Sequence, residues 1–140
     1  MSQSPEYLFD TNAVSEAFHR RGNANFAAFA ASQRDSRICI SVLTLGELRK
    51  GVAKKQRTDP LGAARLRQWV DQTEADFTDD ILGVNREIAT LWGQLSSYRS
   101  GAVVDTLLAA TAIIHDLTLV TRNTADVQDL PIKLLNPWLP

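Results

Sequence analysis

The chain has 140 residues, 44% hydrophobic and 22% charged, the balance of a globular protein with a core rather than of a disordered or fibrous chain. Fifteen Lys and Arg against sixteen Asp and Glu leave a formal net charge of -1, which excludes a global field drawing the protein to nucleic acid or membrane, so any polyanion must be held by a local patch. The length fits one domain over residues 1–140, and no apolar run approaches the roughly 18 residues of a membrane span.

At the amino terminus "MSQSPE" has no basic region followed by an apolar core, so a cytoplasmic protein is expected. Next comes the run "YLFDTNAVSE", in which Tyr7, Leu8 and Phe9 form a short apolar strand that ends in Asp10. A carboxylate at the end of a buried strand is costly unless something compensates it. Asp10-Thr11-Asn12 therefore either starts an Asx turn and a short helix or belongs to a site, and Asn12 is a good N-cap candidate in either account. Phe26, Phe29 and Ala30 mark a helix.

The second strand is expected over Ile38 to Val42 and contains the only cysteine, Cys39. A single cysteine excludes an intrachain disulfide and suits a reducing cytosol, and its apolar neighbours read as a buried, inert thiol. Leu45, Leu48 and Val52 define the following helix, on whose first turn Glu47 is expected. Thr44 to Glu47 also has capping-box spacing, which gives Glu47 a purely structural reading. The same helix carries the basic stretch "RKGVAKKQR", with Lys50, Lys54 and Arg57 on one side at helical spacing. This is either a solvated face or a track for RNA phosphates.

"RTDPLG" (Arg57 to Gly62) breaks the pattern and is expected to join two helices rather than two domains. Leu66, Trp69 and Val70 share a face of the helical stretch Leu61 to Phe77; Ile88, Leu91, Trp92 and Leu95 mark another helix. These aromatic stripes suit core packing or an interface. A further helix runs through Val104, Leu107, Leu108, Thr111 and Ile114, and Asp105 opens it. There the carboxylate gains from the macrodipole, a structural reading, but it shares a stripe with Ala109 and Ala112, small residues that permit close packing and turn it inward. His115-Asp116 reads as a helix end and turn, and neither His19 nor His115 has a partner at metal spacing. Strands are expected at Leu117 to Thr121 and Ile132 to Asn136. Between them "TRNTADVQD" holds Arg122, Asn123 and Asp126.

Short buried strands alternating with helices imply right-handed crossovers and a parallel sheet, hence a three-layer α/β domain. In such sheets ligands bind beyond the carboxyl ends of the strands, where Asp10, Glu47, Asp105 and the Asn123 to Asp126 segment fall. Carboxylates gathered there repel one another unless a cation sits among them. Oxygen ligands without organised Cys or His select a hard ion such as Mg2+ or Mn2+, which activates water and offsets charge at a phosphodiester.

Together "YLFDTNAVSE", "ISVLTLGELRKGV", "VVDTLLAATAIIHDLTLVTRNTADV" and "LLNPW" resemble, in order and spacing, the PIN-domain ribonucleases, and among them the VapC-type toxins of bacterial toxin-antitoxin pairs. The resemblance covers nearly the whole chain. It implies a mainly parallel five-stranded sheet, a Mg2+- or Mn2+-dependent endoribonuclease and an acidic pocket to which Asp10, Glu47 and Asp105 correspond, with Asp10 and Asp105 as metal ligands. The family's fourth acidic position aligns with Asn123, where many relatives carry Asp; Asp126 either supplies that charge or caps the following turn. Asn12 matches a polar position that orients the first Asp or a metal-bound water, and Arg122 is a second candidate for RNA phosphate, or else pairs with a surface acid. The resemblance further implies a homodimer held inert by a cognate antitoxin, and RNA, such as tRNA, as substrate.

Two readings from other classes compete. A catalytically inactive PIN fold acting as a binding module is compatible with Asn123. An aspartyl-phosphate enzyme or receiver domain also places Asp after the first strand, but a phosphatase of that kind normally has a second Asp two residues on, where this chain has Asn12.

Overall fold

A computed structural model describes residues 6–17 and 22–140. Most of the amino-terminal hexapeptide and His19 lie outside the described residues. In chain order the elements are β1 (Glu6–Phe9), α1 (Thr11–Ala17), α2 (Ala24–Ser32), β2 (Arg37–Ser41), α3 (Val42–Gln56), α4 (Pro60–Asp76), β3 (Ile81–Leu82), α5 (Arg86–Ser96), α6 (Val103–Ile114), β4 (Thr118–Val120) and β5 (Lys133–Leu135). The five strands form one sheet in the order β3-β2-β1-β4-β5, and every neighbouring pair is parallel.

Strand alternation sorts the side chains into two cores. Leu8, Cys39 and Leu119 are buried on one face of the sheet against Leu108, Ala109 and Ala112 of α6 and Ile88 and Leu95 of α5. Tyr7, Phe9, Ile40 and Val120 are buried on the other, against Val14, Phe26, Leu48, Val52 and Val70 from α1 to α4. Because both faces are covered, the strands carry apolar residues at consecutive positions rather than alternating with polar ones. The thiol of Cys39 is fully buried, and burial pushes its pKa up, as expected of an inert cysteine.

The expected strands are present with shifted ends: β1 and β2 each begin one residue earlier than expected, at Glu6 and Arg37, and β4 and β5 are trimmed to Thr118–Val120 and Lys133–Leu135. Val42 is the first residue of α3 rather than the last of β2, because Ser41 closes the strand and caps the helix, its hydroxyl accepting from Leu43 N at 3.0 Å. The residues alone give no sign of β3, since two residues are too short for a periodicity and pair only as Ile40 with Ile81 and Ser41 with Leu82. "RTDPLG" does join two helices: Asp59 caps α4 by accepting from Gly62 N at 3.0 Å, and Pro60 takes the first helical position. His115 ends α6, and Asp116 makes the turn at φ 55, as the reading of that pair requires.

The carboxyl-terminal segment folds back on the first two helices. Trp138, 7% exposed, packs its ring 4.8 Å from that of Phe26. Its indole N–H donates to Glu16 Oε1 at 3.3 Å, and its carbonyl accepts from Asn25 Nδ2 at 3.0 Å. Leu66, Trp69 and Phe77 pack against the core beneath α3 and α4, and Trp92 against the α5–α6 core, the packing reading of those stripes.

Candidate active site

The chain leaves β1 to build β2 and β3 on one side and returns to build β4 and β5 on the other, so the order reverses between β1 and β4. At such a switch point the loops beyond the strands part and leave a crevice. Phe9 is paired with Val120, and Asp10 N continues the ladder by donating to Val120 O at 3.2 Å. Asp10 and Thr121 are therefore neighbours just beyond the two central strands. By alternation they follow Leu8 and Leu119, the side chains that face α6.

Asp10 is 8% exposed. Its Oδ1 accepts from Ala13 N at 2.8 Å and its carbonyl from Val14 N at 3.0 Å, so Asp10 is itself the N-cap of α1. This corrects the capping expectation for Asn12, which is an exposed residue within the helix, because α1 already starts at Thr11, with Asp10 as its cap. Burial raises the pKa of Asp10; hydrogen bonds from Thr121 and Ala13 oppose this, and the charges of Asp105 and Glu47 add to it.

Asp105 lies in the first turn of α6 and is half-buried, while Ala109 and Ala112 on its stripe are buried, as the inward reading requires. Its pKa is raised by burial and by the charges of Asp126 and Glu47, and lowered by Arg99. Asp10, Asp105, Thr121 and Asn123 line one cavity of about 10 Å³, floored by Leu108, Leu119 and Val127. That is room for about one water molecule or small ion.

Glu47 is on the second turn of α3, not the first, and takes no part in a capping box. Ser41 already caps the helix, and Thr44 is buried inside it. Freed of that duty, the exposed Glu47 carboxylate accepts from Thr11 Oγ1 at 2.6 Å. Asn123 is exposed, and its backbone N donates to Thr121 Oγ1 at 3.0 Å. Asp126 ends the 3-10 turn Thr124–Asp126, and its charge acts on Asp105.

Among the described residues no three acidic, His or Cys side chains converge as a three-ligand metal set. The pair Asp10 and Asp105 nonetheless fits a hard cation: all donors are oxygen, burial raises the proton affinity of both and the charge of Glu47 adds to each, and the cavity matches one small ion completed by water.

Three neighbours escape a reading of the residues. Thr121 carries a weak signal, as a hydroxyl after an apolar strand. Thr11 matters only through a contact 36 residues away, and Arg99 only through the loop that folds over it.

Lys50, Lys54 and Arg57 are exposed and, among the described residues, in no ion pair, whereas Arg49 is engaged by Asp71 at 2.6 Å and Glu74 at 3.4 Å. Arg57 is the C-cap of α3 rather than part of its body. Among the described residues Arg122 pairs with no acid; its guanidinium lies 5.3 Å from the centre of the Trp138 ring.

Comparison with known proteins agrees with this arrangement. The PIN domain family matches residues 7–130. The toxin FitB of Neisseria gonorrhoeae is 30% identical over 142 residues, covering 94% of this chain and 97% of that protein. A VapC ribonuclease of Sinorhizobium fredii is 27% identical over 144 residues, covering 95% and 98%. In the solved FitAcB structure from Neisseria gonorrhoeae, a chain 30% identical superposes with a TM-score of 0.83 over 96% of this chain and 99% of that one. No described helix is long and apolar enough to cross a membrane. With its fold, its acid-lined switch point and these relatives in agreement, the chain belongs to the PIN domain family.

Proposed function

We propose that the chain is a divalent-metal-dependent endoribonuclease acting as the toxin of a toxin-antitoxin pair. One observation carries the reading: Asp10 and Asp105, from different elements, line a cavity of ion size beyond the sheet switch point, with the charge of Glu47 acting on both. Relatives named as a toxin and as a ribonuclease support the biological assignment. A cognate antitoxin that neutralises the toxin, and homodimerisation, belong to the same proposal.

Asp10 and Asp105 would hold Mg2+ or Mn2+, with Glu47 and Asn123 at the rim. When bound, the ion lowers the pKa of water and offsets negative charge developing on the phosphodiester. Thr121 stands beside Asp10 in the cavity wall and, by accepting from Asn123 N, fixes the start of the loop that closes the cavity. Thr11 restrains the Glu47 carboxylate, which would otherwise sample solvent. Lys50, Lys54 and Arg57, in no ion pair among the described residues, offer cations for backbone phosphates, as RNA recognition by a chain of net charge -1 requires.

Purified protein freed of antitoxin is expected to cleave single-stranded RNA with Mg2+ or Mn2+ and not in EDTA, with Asp10→Asn inactive throughout. Equal cleavage in chelator, or by the variant, overturns the reading.

A further inference from the structure

Arg99 lies in the short connection between α5 and α6, outside the acidic cavity, and its side chain is only 10% exposed. Its guanidinium is almost fully used. Nε donates to Asp129 Oδ2 at 2.9 Å and Nη2 to Asp129 Oδ1 at 3.1 Å, a two-pronged pair. Nη1 donates to Thr106 Oγ1 at 2.8 Å, and Nη2 also donates to the carbonyl of Asp126. Thr106 in turn donates to the carbonyl of Ala102 at 3.1 Å. One side chain therefore joins the first turn of α6 to the segment after β4.

Two further features mark this as a built arrangement. The N-cap position of α6 is Ala102, which supplies no capping side chain, and the bond from Arg99 to Thr106 gives that helix start a side-chain tie to the connection before it. Gly101 lies against the guanidinium: a Cβ there would stand 2.7 Å from Arg99 Nη1, so a side chain at this position displaces the guanidinium.

We propose that Arg99 is a positioning residue for the acidic site, setting the distance between Asp105 at the start of α6 and the Asn123 to Asp126 segment. The proposal rests on the metal-dependent reading above. Asp105 follows the Ala102 that Thr106 anchors, and Asp126 contributes the carbonyl that Arg99 holds, so both sides of the cavity mouth hang on one guanidinium. Lysine keeps the charge but not the planar fork, so it cannot hold Asp129, Thr106 and the Asp126 carbonyl together.

The test uses the full chain freed of antitoxin, with Arg99→Lys, Gly101→Ala and, as reference, Asp10→Asn. Mn2+ dissociation constants are measured by calorimetry, melting is followed in EDTA, and kcat and KM are measured on single-stranded RNA. Arg99→Lys is expected to weaken Mn2+ binding about 10- to 100-fold and to lower kcat with little change in KM. Gly101→Ala, which removes no charge and no donor, is expected to weaken Mn2+ binding in the same direction by displacing Arg99. Wild-type Mn2+ affinity in both variants while Asp10→Asn binds weakly overturns the positioning role alone, leaving Arg99 a structural staple. Wild-type affinity in Asp10→Asn overturns the acidic-site reading and this proposal with it.

Discussion

Thr11 Oγ1 donates to Glu47 Oε1 at 2.6 Å, joining the first residue of α1 to the second turn of α3. The contact is exposed, so its net contribution to stability is at most about 1 kcal/mol. Its effect on the proposed metal site is expected to be larger, because an unrestrained glutamate spreads over many rotamers and no longer directs its charge toward Asp10 and Asp105. Thr11→Val is therefore expected to change stability by less than about 1 kcal/mol in urea titrations while weakening Mn2+ binding by about tenfold in calorimetry. An unchanged Mn2+ affinity would remove Glu47 from the site.

Asp10 is at once the N-cap of α1 and a wall of the acidic cavity, and a single substitution separates the two roles. Asn caps a helix as well as Asp does, so Asp10→Asn keeps the bond from Ala13 while removing a buried charge. Burial, above all, raises the folded-state pKa of Asp10 above its ordinary value of 3.8. A carboxyl whose pKa is raised on folding favours the folded state below its ordinary value and loses that contribution as pH climbs through the raised one. Metal-free protein is thus expected to gain stability on acidification across that window. The Asn variant should lack this component and melt at least as high as the wild type at neutral pH in EDTA. A lower melting temperature for the variant at neutral pH would mean that the charge itself stabilises the fold.

Metal addition gives the complementary result. At about 100 times its dissociation constant, Mn2+ is expected to stabilise the native chain by roughly 2.7 kcal/mol. Asp105→Asn should lose most of that gain at the same Mn2+ concentration, read from melts with and without EDTA. Equal gains in both proteins would place the ion elsewhere.

Lys50, Lys54 and Arg57 are exposed and, among the described residues, unpaired, while Arg49 on the same helix is engaged by Asp71 and Glu74. If the first three contact phosphates, converting them to Gln should reduce the slope of log affinity for single-stranded RNA against log salt by about 2, at roughly 0.7 per contact. Arg49→Gln should leave that slope unchanged. Filter-binding titrations from low to moderate salt measure both, and an unaltered slope in the triple variant identifies the helix as a solvated face.

Trp138 closes the chain onto Phe26, Glu16 and Asn25 and supports the Arg122 guanidinium. Trp138→Ala is expected to cost about 3 kcal/mol, seen as a lower urea midpoint, through the cavity left beside Phe26. A shift of only a few tenths of a kcal/mol would mean that the terminal segment is loosely attached.

Much of this protein was legible before folding. Apolar strands at Tyr7 to Phe9 and near Ile38 and Leu119, separated by amphipathic helices, point to a covered parallel sheet because helical crossovers place a layer on each face of the strands. An aspartate after the first strand, and another leading a helix lined with Ala109 and Ala112, point to the carboxyl ends of that sheet for the same reason. What periodicity could not carry were relations between residues far apart in the chain. Ser41 displaced Thr44 as the cap of α3 and so left Glu47 to Thr11; two residues sufficed for β3; and Arg99 acquired its partners only when the segment after β4 came to lie over the start of α6. Local pattern reports which face of an element is apolar. Which polar groups meet is decided by how the elements pack, because a buried donor or charge takes its partner from whatever the tertiary structure brings within about 3 Å.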